Sequence, residues 1–161
     1  MTQDSVITDE MRDMIGIESE PSVYEIEKEP IRRWTEAIGD PNPLYHDEEF
    51  ARKGKHGGII VPPGFLGNYA FPTKAGKPAP QVKLPFSRGL AGGNEYEFLK
   101  PVRAGDIVTA TTKLLDLYER QGRQGIGRML FQVMEITHRN QQGEIVAKAR
   151  HTAIIYEGPG E

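Results

Sequence analysis

Asp40 and His46 stand six residues apart in the run Gly39-Asp40-Pro41-Asn42-Pro43-Leu44-Tyr45-His46-Asp47. A carboxylate and an imidazole brought together by a turn can hold one water between them. The carboxylate accepts a proton, and the imidazole gives or takes one according to its tautomer. Adding water across a double bond next to a carbonyl needs this division: one group takes the water's proton, another delivers a proton to the α-carbon. The same residues are also ordinary turn chemistry. Two prolines stiffen the backbone, and Asp40 and Asn42 can bond neighbouring main-chain groups. His46 can equally be an exposed residue beside Asp47, Glu48 and Glu49. Two other histidines compete for the imidazole role. His56 lies in a Gly-containing loop, where a histidine is ordinarily solvated. His151 lies on a small-residue strand face, where it is ordinarily a satisfied core residue.

The elements that must position these groups follow from periodicity. Asp9, Met11 and Met14 suit a short helix that Gly16 ends, and Ser22 to Ile26 alternates as a short strand. Pro30 sits as a first helical residue, Ile31, Trp34, Ala37 and Ile38 recur at helical spacing, and Gly39 supplies the stop. His46 to Arg52 reads as a second short helix, acidic near its start. Pro62-Pro63 opens a third, Gly64 to Phe71, apolar all round and so buried. Pro72 to Pro85 reads as a long loop. Four strands follow: Asn94 to Phe98, Ile107 to Tyr118, Ile126 to His138 and Ile145 to Tyr156. In the last, Ile145, Ala147, Ala149, His151, Ala153 and Ile155 share one face, with Lys148, Arg150 and Thr152 on the other. Asn140-Gln141-Gln142-Gly143 is the hairpin connection before it. Early helices and late antiparallel strands make an α+β chain, with the apolar helix covering the small-residue face.

The 161 residues suit one domain, 1–161, with 1–15 and 157–161 as flexible margins. Net charge is −3, which gives no basic face for nucleic acid. With no cysteine, disulfides, thiolate chemistry and cysteine-based zinc sites are excluded. No metal or cofactor is expected. The N-terminus has no apolar signal region and no stretch reaches membrane-span length, so a cytoplasmic protein is expected.

The run from Ala37 to Leu44 resembles the signature of the MaoC-like (R)-specific enoyl-CoA hydratases and dehydratases, as does the short helix after it, His46 to Ala51. The Gly-Ile-Ile-Val segment at 58–61 leading to Gly64, the Pro-Val-x-x-Gly-Asp run at 101–106 and the Asn-x-x-Gly-Glu hairpin at 140–144 also match that family, in the same order. The resemblance implies a hot-dog fold, an antiparallel sheet wrapped around one central helix. It implies hydration or dehydration of a 2-enoyl or 3-hydroxyacyl thioester, of CoA or of an acyl-carrier protein. Asp40 and His46 would be the catalytic pair. The Gly64 N–H would hold the thioester oxygen, with Asn42 and Tyr45 beside the substrate. Lysines and arginines of the 74–103 region could meet the phosphates of CoA, or be a solvated face.

One departure stands out. The family pattern Asp-x-Asn-Pro-x-His puts the imidazole five positions after the acid, where this chain has Tyr45. His46 is the sixth position, turned by about 100° on a helical start. The sequence Gly-Asp-Pro-Asn-Pro-Leu-Tyr is similar to N-terminal-half or partner-subunit members, which pair with a second hot-dog unit. Three readings therefore stand: a hydro-lyase, a non-catalytic subunit shaping the acyl site of a heteromer, and last a hot-dog thioesterase. A homodimer or heteromer is expected, since a lone sheet of this kind leaves long edges.

Overall fold

The computed structural model describes residues 5–68, 76–123 and 126–158. Helix α1 spans Asp9–Asp13, capped by the Thr8 side chain, which accepts from Met11 N. Strand β1 is Ser22–Glu25, and α2 is Lys28–Ile38. Pro30 therefore sits in the first turn rather than at its first residue. The reason is that the opening N–H groups of a helix have no intrahelical acceptor, so a residue without an N–H costs nothing there. A 3-10 turn, Pro43–Tyr45, is followed by α3 at Glu48–Lys53, with Asp47 as its N-cap.

Helix α4 is described over Phe65–Asn68. The expected continuation to Phe71, the first residues of the expected 72–85 loop, and the outermost parts of both margins lie outside the described residues. Val6 and Met14 pack beside buried Ile7 and Met11, so the described part of the first margin is docked on the sheet.

The sheet strands are β2 (Arg88–Phe98), β3 (Ile107–Gln121), β4 (Arg128–Arg139) and β5 (Ile145–Tyr156), with β1 at one edge. All pairings are antiparallel, in the spatial order β1-β3-β4-β5-β2. β2 starts six residues before the expected Asn94. Its first half, Arg88 to Gly93, is too rich in glycine to alternate, and the register slips between Ala91 and Gly93. A side chain at Gly92 would meet Ile154 and Thr152 at about 3 Å, so glycine is what the bulge admits.

Register fixes what faces inward. Ala147, Ala149, His151, Ala153 and Ile155 of β5 lie beside His138, Ile136, Met134, Gln132 and Leu130 of β4. One buried cluster on this inner face packs Phe65 and Leu66 of α4 against Ala147, with Ile26, Ile31, Tyr45 and Val108. The small alanines let the helix approach the strands closely. A second cluster, at the other end, joins Met11 and Val82 to Leu114, Leu117, Leu130 and Ile155. The outer face carries charge instead. Glu135 is only 4% exposed and bonds Arg150 at 2.9 Å, with Lys113 at 3.5 Å. Burial alone would raise its pKa, but the Arg150 hydrogen bond and the charges of Lys148, Arg150 and Lys113 outweigh that and lower it.

Candidate active site

Helix α2 ends in a left-handed residue, Gly39 at φ 71°, which turns the chain so that Asp40 N bonds Thr35 O at 2.9 Å. Thr35 is buried and caps its own turn through Ile31 O. Asp40 is thus held at a fixed point past the helix. Its Oδ1 accepts from Asn42 N at 3.0 Å, and Asn42 Oδ1 accepts from Leu44 N at 3.1 Å. These two nested turns consume one Asp40 oxygen and the Asn42 carbonyl. The second Asp40 oxygen makes no hydrogen bond among the described residues.

Tyr45 and His46 diverge from this point. Tyr45 is 8% exposed and belongs to the inner-face cluster with Phe65, while His46 is exposed. Burial raises the Tyr45 pKa, and the charge of Asp40 raises it further, so the phenol lies in the field of that carboxylate. The His46 ring instead sits with Nε2 at 2.9 Å from the main-chain oxygen of Asp40. A carbonyl only accepts, so Nε2 carries the proton in this arrangement and Nδ1 is the open nitrogen.

Gly64 follows Pro62-Pro63 with φ 81°, a conformation that disfavours any side chain. Phe65 N bonds Pro62 O at 3.2 Å, closing the turn into α4. The Trp34 ring meets Phe65 edge to face, with centroids 6.0 Å apart. Through this contact the helix that ends just before Asp40 and the helix that starts after Gly64 are packed together. His56, in the loop before Ile59, is half-buried.

Two polar pairs that spacing did not reveal lie on the inner face. Tyr24 Oη and His138 Nδ1 are 2.7 Å apart across β3. His138 is 3% exposed, and its Nε2 is buried with no hydrogen-bond partner among the described residues. Burial and the neighbouring His151 depress its pKa to about 4, so it is neutral near pH 7. His151 Nδ1 lies 2.7 Å from Asn94 Oδ1, and its ring stands edge to face on Tyr96. Tyr96 in turn covers Gly67 of α4 so closely that an added methyl there would sit 2.1 Å from the ring. The signal for His151 was present in the alternation of β5. The partners, 57 and 114 residues away, carry no local signal.

A carboxylate in a stiff turn, beside a buried tyrosine that shares a cluster with a helix on the inner face of an antiparallel sheet, can be compared with known proteins. The family described as "FAS1-like, dehydratase domain region" matches residues 13–149. The chain belongs to that FAS1-like dehydratase-domain family. A UPF0336 protein of Streptomyces avermitilis is 40% identical over 93 residues, 56% of this chain and 61% of that protein. The match thus spans about six-tenths of that relative's length. Among solved structures, the ChsH1-ChsH2 complex from Mycobacterium tuberculosis superposes with a TM-score of 0.71 at 22% identity, covering 89% of this chain and 91% of that one. A MaoC-like dehydratase from Rhodospirillum rubrum gives 0.64 at 21% identity, covering 92% and 97%. These likenesses show the fold of this FAS1-like dehydratase-domain chain. It is the hot-dog arrangement, a five-stranded antiparallel sheet around a helix, and the MaoC-like resemblance read from its motifs holds. No helix of the described residues is long and apolar enough to cross a membrane.

Proposed function

We propose that the chain is a hydro-lyase subunit that adds water to a 2-enoyl thioester, or removes it from a 3-hydroxyacyl thioester, with CoA as the carrier. The observation that carries this is the Asp40 carboxylate. It is fixed by the α2 terminus and the Asn42 turn, with one oxygen uncommitted, beside buried Tyr45 in the cluster that leads to Gly64. In this reading Asp40 takes a proton from water as the water oxygen bonds to C3. The electron pair moves through C2 onto the thioester oxygen, which the Gly64 N–H holds, and a histidine returns a proton to C2. Membership of a dehydratase-domain family supports the reaction class. The test is hydration of enoyl-CoA substrates of varied chain length by the purified chain, alone and with any neighbouring hot-dog subunit. No turnover in either case sinks the reading.

A second reading has its own observation. His46 is turned to the peptide oxygen of Asp40 and not to its carboxylate, and Tyr45 fills the buried position. In this reading the chain is the non-catalytic half of a heteromer, and the partner supplies both the acid and the imidazole. The solved complex that it resembles in fold contains two different subunits, which supports a heteromeric assembly. Replacing Asp40 by Asn in the assembled enzyme separates the two readings, since a non-catalytic half tolerates it. In either reading we place the protein in the cytoplasm, as one hot-dog unit.

A further inference from the structure

A pocket of about 500 Å³ lies on the inner face of the sheet and shares no lining residue with the Asp40 turn. That size is ample for a small-molecule group. Residues of the 78–84 segment and of the 19–22 stretch line it together with β3 and β4, and it stays partly open to solvent. Ala79, Val82, Leu84 and Met134 supply apolar wall.

Of the five neutral polar residues that line it, Ser19 already bonds Glu20 O and Thr112 N through its hydroxyl and Gln81 is exposed, which leaves three: Ser22, Thr112 and Gln132. Each is half-buried, each sits on the inner face of its own strand, and none makes a side-chain hydrogen bond among the described residues. Their hydroxyls and carboxamide reach the solvent of the pocket, where a ligand with matching oxygens can take the place of water. Among the described lining residues the one charged side chain is Glu20, whose carboxylate already accepts from Lys77 N at 3.0 Å. A phosphate or carboxylate would face that charge with no cation among the described lining residues to offset it. The end of a ligand that enters here is therefore uncharged.

The pocket also lies further along the inner face of β3 than the Tyr45 cluster. Val108 packs in the cluster of Tyr45, and Thr112 lies four residues further along β3. Four strand residues span roughly 13 Å, the reach of an extended chain on the order of ten carbons.

We propose that this pocket receives the far end of the acyl group and selects one that carries a neutral oxygen, a hydroxyl or ketone, remote from the thioester. The assignment rests on the thioester reading above. Its test uses the full chain, in its assembled form if it has one, and two non-reacting probes: the N-acetylcysteamine thioesters of decanoate and of 9-hydroxydecanoate, with affinities read by calorimetry. The hydroxylated probe should bind about fivefold tighter. Gln132→Leu and Ser22→Ala should each erase most of that preference and leave the plain probe's affinity within about twofold. Equal binding of the two probes by the wild type, no binding of either, or a preference that survives both substitutions overturns the proposal. Hydration without any hydroxyl preference would sink the pocket alone. A Gln132-dependent preference in a chain that hydrates nothing would keep the pocket and sink the hydratase reading.

Discussion

His46 donates from Nε2 to the main-chain oxygen of Asp40 at 2.9 Å, while Tyr45, one residue earlier, lies buried in the field of the Asp40 carboxylate. The two side chains that compete for the place of an imidazole are thus on different sides of the same turn. This makes the roles of acid and imidazole separable by substitution. In the hydratase reading, Asp40→Asn should lower kcat of the active assembly by about 10²-fold or more, with the fold unchanged by circular dichroism. His46→Ala, which removes a bond to a peptide oxygen, should cost less than about tenfold. Steady-state hydration rates decide, and an equal loss for both would put His46 in the chemistry.

Buried His138 gives the protein a pH dependence of known sign. Its folded pKa is depressed to about 4, against 6.5 for the free side chain. Above pH 6.5 it is neutral in both states and neutral to stability. As pH falls below 6.5 the unfolded chain takes up a proton that the folded chain refuses, so stability is lost progressively down to about pH 4. The loss should approach about 3 kcal/mol. Carboxylates titrate nearby, so the measurement is a difference: urea unfolding of wild type and His138→Gln at pH 7, 5.5 and 4.5. The wild type should lose more over this range, and parallel curves would refute the assignment.

Gly67 and Tyr96 form a steric pair. A methyl at Gly67 would stand 2.1 Å from the ring, so Gly67→Ala must push the ring or the helix aside. A cost of about 1–3 kcal/mol is expected. Trimming the ring with Tyr96→Leu should make the second change much cheaper, a coupling of about 1 kcal/mol or more in a double-mutant cycle. Additive losses would mean that the contact is not close.

On the outer face, Glu135→Leu should destabilise by about 2 kcal/mol. It leaves Arg150 and Lys113 without the buried carboxylate they share. Because that carboxylate is stabilised in its charged form, the wild type should lose this contribution as pH falls below the ordinary carboxylate range toward its lowered folded value. The Leu variant should not.

How much of this was legible in the sequence depended on whether the signal was local. β5 was readable from Ile145 to Tyr156 because alanines alternate with charged residues along it. The opening of β2 was not, because Gly89, Gly92 and Gly93 have no side chains to alternate. In the candidate site, the Asp40–Asn42 turn could be read because aspartate, asparagine and proline act on their nearest neighbours. The orientations of Tyr45 and His46 could not, because a side chain rotates by about 100° per residue and burial decides which way. Tyr24–His138 was beyond reach for a different reason: two residues 114 positions apart meet only through sheet register.

That same bond bears on when the protein can take shape during synthesis. β1 emerges first, yet it docks on β3, and Tyr24 reaches past β3 to a side chain of β4. β2 likewise waits for β5, its neighbour in space but about fifty residues later in the chain. The β3-β4-β5 meander is the part whose partners are adjacent in sequence. Each flanking strand is therefore synthesised before the strand it pairs with. During that interval the helices that flank Asp40 and Gly64 have no sheet to pack on, and their apolar faces are open to other chains and to chaperones.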